Sequence, residues 1–196
     1  MPAPPLPPYL LTRFRGSPDT LRKMREHVWG PRGEKSFRVR QLTEAVTRGL
    51  WPKDYLSEIL AIRNFCTTHI RYMNDPLHVE LVKDPERIAE EIYAYGITTA
   101  DCDEIASMIA TMCLQVGREA EFIVAGFGSA GDYSHVFARA KEPKSGQWIV
   151  VDPVAGQDEL GMLKKITTAE AWSLDETGPP IQLLGLETVP QWSYAA

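Results

Sequence analysis

The run from Asp101 to Gly117, DCDEIASMIATMCLQVG, constrains this chain more than any other, because its start, its periodicity and its end all specify the same element. Ile105, Met108, Ile109, Met112, Cys113 and Val116 recur at alternating spacings of three and one, which is an apolar stripe of an α-helix. Asp101 is a good N-cap, Glu104 lies three residues later where a capping-box acid belongs, and Gly117 supplies the stop. Cys102 therefore falls in the first helical turn, off the stripe. A lone helical cysteine is ordinarily a small core hydrophobe, which describes Cys113 but gives no reason for Cys102 among acids.

A helix N-terminus offers unpaired N–H donors and partial positive charge, which favour a thiolate and can lower a cysteine pKa into the range of roughly 3.5–7.5. Asp101, Asp103 and Glu104 act in the opposite sense, so a histidine is needed to answer them. The strand-like runs around His135 and Trp148 are joined by the turn-forming stretch Lys141 to Gly146. Centring that turn between Pro143 and Lys144 pairs His135 with Asp152, Phe137 with Val150 and Arg139 with Trp148, all on one face. Directly opposed residues have Cβ atoms about 4.5–5.5 Å apart, near enough for a carboxylate to orient an imidazole. A one-residue slip would carry Asp152 to the other face.

The remaining chain reads as helices followed by strands. Ser17 to Val28, Gln41 to Leu50 and Asp54 to Ile70 are helical, the last running into the extended segment Ile70 to Met73. Asp84 and Pro85 open another helix that ends before Gly96. Phe122 to Phe127, His135 to Ala138 and Trp148 to Val151 are β-rich, and Ile181 to Leu184 adds an edge strand. The fold class is α+β, with N-terminal helices and the Cys102 helix packed on an antiparallel sheet.

With 44% apolar and 24% charged residues the chain has the composition of a soluble globular protein, and 196 residues suffice for one real core. The net charge of −5 argues against nucleic-acid binding. Nine basic residues against three acidic ones nevertheless fall within 11–40, a stretch expected to fold back on the acidic body or to meet an acidic partner. Five of the first eight residues are proline, so residues 2–8 read as an extended polyproline-like arm. The expected organisation is a proline-rich, basic arm with a short helix over 1–40 and a catalytic domain over 41–190. Three scattered cysteines do not make a disulfide framework, and the N-terminus lacks the pattern of a signal peptide or anchor, so a reducing, cytoplasmic setting is expected. Cys66 and His69 are too few for a metal site, His27 and His78 read as ordinary residues, and no cofactor is implied. Gly126 and Gly128 open a loop that could cover the site.

Asp101-Cys102-Asp103-Glu104 opening a helix, Ser134-His135-Val136-Phe137 on a strand and Ile149-Val150-Val151-Asp152-Pro153 on the next resemble the three core motifs of the transglutaminase-like superfamily, in the papain-like fold. His69-Ile70-Arg71-Tyr72 is similar to the extended segment that precedes the family's core, and the resemblance covers about residues 54–156. It implies Cys102 as nucleophile, His135 as general base and acid, and Asp152 as its orienter. Thr98, Thr99 or Tyr133, with the Cys102 backbone N–H, are the expected oxyanion donors. Ala100 stands where the bacterial pattern has glycine, and Asp103 stands where crosslinking transglutaminases carry tryptophan. Gly96 stands where papain has its oxyanion glutamine.

These departures imply a thiol hydrolase, a protease or amidase acting on a peptide or protein substrate, rather than a crosslinking enzyme, although acyl transfer to an amine uses the same intermediate. The other reading is a structural or docking protein. Stand-alone chains of this kind resemble those of bacteria and tailed phages, and the N-terminal arm would then hold a protein partner in a virion or assembly. No membrane partner is implied.

Overall fold

The computed structural model describes residues 17–74, 82–128, 133–154, 163, 165–175 and 179–183. Its helices are α1 (Ser17–Trp29), α2 (Phe37–Thr47), α3 (Tyr55–His69), α4 (Pro85–Tyr95) and α5 (Cys102–Gln115). Between them, β1 (Ile70–Tyr72) and β2 (Thr98–Ala100) pair in parallel. The later strands are β3 (Ala120–Gly126), β4 (Tyr133–Lys141), β5 (Trp148–Val151), β6 (Thr168–Ser173) and β7 (Ile181–Leu183). They form an antiparallel sheet in the order β5-β4-β3-β6-β7, so the α+β class with helices first is the observed one. Among the described residues no helix is long and apolar enough to cross a membrane. The polyproline arm over 2–8, His78 and residues 129–132 of the glycine loop lie outside the described residues.

Helix α5 is the pivot of the core. The sequence marks one apolar stripe, yet every residue from Asp103 to Cys113 is buried. The reason is that β3 and β4 cover one side while α1, α2, α3 and α4 cover the rest, and Ala106, Ser107 and Ala110 are small enough to let those neighbours approach. Fully burying Met108, Ile109 and Met112 contributes about 1.5–3 kcal/mol each. On the other face of the sheet a second cluster, Ile123, Ala125, Phe137, Ala169 and Ala171, makes β3 a central strand buried on both faces.

The described part of the basic N-terminal segment belongs to the same core. Leu21, Met24 and Val28 of α1 are buried against α5, so the charge boundary near residue 40 is not a boundary in packing. Ser36 accepts from Val39 N–H and starts α2 at Phe37, four residues before the expected Gln41. The basic residues meet α4: Arg32 pairs with Asp84 at 2.9 Å and Glu86 at 3.0 Å, and Arg38 with Glu90 at 2.5 Å.

The β4–β5 register differs from the expected one by two residues. Lys141 pairs with Trp148, Arg139 with Val150 and Ala138 with Val151. The cause is the turn: the Glu142 carboxylate accepts from Lys144 and Ser145 N–H, Gly146 takes a left-handed φ of 71°, and Glu142 N–H closes on Gln147 O at 2.8 Å. The loop is therefore the four residues 143–146, one position later than the symmetric centre. A shift of two preserves side-chain parity, so Asp152 keeps the face of His135 although it no longer sits directly opposite.

Candidate active site

The β4–β5 ladder ends at Ala138 and Val151, where Asp152-Pro153 leaves the sheet. Glu142 N–H points toward β5, and N–H groups of one strand alternate between its two edges, so the Val136 N–H points the same way, past the end of the ladder. Cys102 accepts that N–H. The sulfur thus occupies a hydrogen-bonding position that β5 vacates, one residue along from His135.

His135 reaches Asp152 diagonally, with Nε2 donating to Oδ2 at 2.7 Å. Asp152 is 1% exposed, and its other oxygen accepts from Val154 N–H at 3.0 Å, which fixes the carboxylate in an Asx turn. Phe137 and Phe127 flank the imidazole with ring centroids 5.7 and 6.4 Å away. Because Asp152 engages Nε2, Nδ1 is the ring nitrogen left to exchange a proton.

Cys102 sits at the start of α5 in a complete capping box: Asp101 accepts from Glu104 N–H, and Glu104 accepts from Asp101 N–H, both at 3.3 Å. Of the two opposed influences on its pKa, the raising one prevails. Burial first, then Asp101 and Asp103, push the thiol up to about 12, against the hydrogen bonds from Val136 N–H and its own N–H. The helix end is outweighed by burial first, and two carboxylates that share it add to the rise.

Of the expected oxyanion donors, two hydroxyls are already engaged. Thr98 donates to Glu91, and Tyr133 donates to Glu170 at 2.6 Å, which also takes Gln182 and Trp172. The Thr99 carbonyl accepts from the Lys83 ammonium. The hydroxyl of Tyr72, a residue that sequence reasoning left as part of an extended segment, is engaged as well. Tyr72 pairs with Ala100, Met73 N–H bonds Ala100 O at 3.0 Å, and the Tyr72 side chain is 46% exposed. Its ionisation is disfavoured by burial and then by Cys102, Asp101, Asp103 and Asp152, so it remains a phenol, and its O–H donates to Asn74 Oδ1 at 2.7 Å. The signal available in the sequence was its place in the segment ahead of the core motifs.

The weaker candidates separate from this constellation. Cys66 is fully buried in the main core, and His69 Nδ1 donates to Gly96 O at 2.7 Å while stacking on Phe65.

Three comparisons bear on this arrangement. The model of the family described as "Transglutaminase-like superfamily" matches residues 40–153. A crystal structure of a Parabacteroides distasonis protein, described as a "putative protease", superposes with a TM-score of 0.53 at 14% identity. The match covers 84% of this chain and 30% of that one, so the chain spans under a third of its neighbour's length, and the likeness is one of fold. No curated protein matches.

Proposed function

Because the chain belongs to the transglutaminase-like superfamily, we propose that Cys102, His135 and Asp152 perform thiol-dependent hydrolysis of amide or peptide bonds through an acyl-enzyme. What supports this best is that His135 is bonded to buried Asp152 and that the Cys102 sulfur takes the amide of the residue next to His135.

A thiol pushed up to about 12 rests protonated, so the proton leaves during attack rather than before it. Nδ1 of His135 takes that proton as sulfur attacks the carbonyl carbon. Asp152 holds the opposite N–H and stabilises the imidazolium that forms. The tetrahedral oxyanion is met by N–H groups at the start of α5. His135 then gives its proton to the departing amine, leaving a thioester. Water, deprotonated by the same nitrogen, attacks the thioester, and the thiol recovers the proton on release of the acid. An amine in place of water would give transamidation. Asp103 in place of the crosslinking enzymes' tryptophan, and the acids around Cys102, favour water.

An uncharged peptidyl vinyl sulfone is expected to label the wild type at one site and to leave Cys102→Ala unlabelled, with His135→Ala slowed by about 10²-fold. Labelling of His135→Ala at the wild-type rate would remove His135 from the mechanism.

A further inference from the structure

Lys83, the residue before the α4 cap, ties several chain segments together at this end of the molecule. Its backbone N–H donates to Glu104 Oε1 at 2.7 Å, and its ammonium donates to the Thr99 carbonyl. The same ammonium lies 3.7 Å from Glu104 Oε2 and 3.6 Å from Glu91 Oε2. The Lys83 backbone also carries a hydrogen bond to His27 of α1. Glu104 is the other half of the arrangement. Only 2% exposed, it accepts from Lys83 N–H on one oxygen and from Asp101 N–H on the other, and Asp101 precedes the nucleophile.

A carboxylate buried to this degree is expensive unless every lone pair finds a donor. An ordinary capping box needs only the Asp101 contact and can stay at the surface. The second oxygen, with Lys83 behind it, does something the cap does not require. It ties the first turn of α5 to the segment ahead of α4 and, through Thr99, to the end of β2. The start of α5 is thereby held from two sides, and the Cys102 sulfur must reach one specific amide, Val136 N–H, across that fixed distance.

Resting on the catalytic reading of Cys102 above, we infer that Glu104 and Lys83 are positioning residues, a buried clamp that sets where the Cys102 sulfur lies against the edge of β4. They touch neither the sulfur's partner nor a substrate, and they act through the helix start. The charged groups that act on the Glu104 carboxyl are Lys83 from the α4 side and Asp101 from its own helix start, with Glu91 on the far side of the Lys83 ammonium and Asp103 on the Glu104 backbone N–H.

The test is the alkylation rate of Cys102 by iodoacetamide at pH 9 in the full chain, read by mass spectrometry. The variants are Glu104→Gln, Lys83→Met and the double substitution, each with its near-UV circular dichroism. Although nearly isosteric, Glu104→Gln breaks the clamp, because its amide nitrogen would face one of the two backbone N–H donors that the carboxylate accepts from. A positioning role makes both single variants about tenfold slower, and the double no slower than either, because the two residues form one device. A mere charge effect gives opposite signs: Glu104→Gln removes a negative charge and speeds alkylation, Lys83→Met slows it, and the double returns to the wild-type rate. That pattern, or wild-type rates throughout, overturns the inference. If Glu104→Gln loses its near-UV signal, Lys83→Met compared with Lys83→Arg carries the test, since partial rescue by arginine would restore the rate and no rescue with an intact fold would refute the clamp. His135→Ala in the same assay reports separately on the catalytic pair, because iodoacetamide needs no general acid to react.

Discussion

The starts of α4 and α5 are built from the same parts and end in opposite states. Each has an aspartate cap, Asp84 or Asp101, whose carboxylate accepts the N–H three residues on, and each has a further acid in its first turn. At α4 the acids are partly exposed and Arg32 answers them, with Arg87 pairing to Glu91 at 2.8 Å further along the helix. At α5 the first-turn acids Asp103 and Glu104 are buried under neighbouring elements, Lys83 reaches in to Glu104, and a cysteine stands between them and the cap. The lesson is that capping chemistry makes a helix end, whereas burial decides whether that end is inert or holds a group away from its ordinary ionisation.

The largest expected effect separates the site beside the start of α5 from the start of α4 by activity. Asp152→Asn should lower the hydrolytic rate by about 10⁴-fold, by leaving the wrong histidine tautomer, while Asp84→Asn should stay within about twofold of wild type. Equal losses in a kinetic assay would erase the distinction. Next comes the pH dependence of stability. Burial pushes the Glu104 carboxyl up to about 8, partly countered by Lys83. The native state then holds a proton that the unfolded chain releases near the ordinary carboxylate pKa, so stability from this group is complete below that range and is lost as pH rises through about 8. The loss is at most about 5 kcal/mol, and urea denaturation of Glu104→Gln from pH 5 to 9 should show a flatter profile than wild type.

Cap removal should be smaller and should sharpen the contrast differently. Asp84→Ala and Asp101→Ala should each cost about 0.5–2 kcal/mol in urea, with Asp101→Ala at the upper end because it leaves the buried Glu104 N–H relying on Asp103 alone. The smallest effect belongs to Arg32→Ala. Its own side chain is 45% exposed, so a loss of about 0–1 kcal/mol that fades at high salt is expected from melting curves.

Helix α5 could be read from sequence almost entirely because its cap, period and stop are local, and the capping box is present as expected. The hairpin register could not, because the Glu142 side chain, rather than loop symmetry, sets the closing pair. Strand β6, Thr-Ala-Glu-Ala-Trp-Ser, was missed. Its small residues suit the underside of a doubly covered sheet and carry little intrinsic strand preference. The Thr98 and Tyr133 hydroxyls were plausible donors until carboxylates on α4 and β6 claimed them, and such long-range pairings leave no mark in residue order.

The vacated position on β4 also bears on the order in which the molecule assembles. Val136 N–H is a single seat with two possible occupants, a further residue of β5 or the sulfur of Cys102, and Pro153 stands where the ladder would have to continue. The hairpin is local and can zip early, whereas the sulfur arrives only when α5 docks from more than thirty residues upstream. Slow exchange of that one amide for deuterium would therefore timestamp the docking of α5, independently of any turnover.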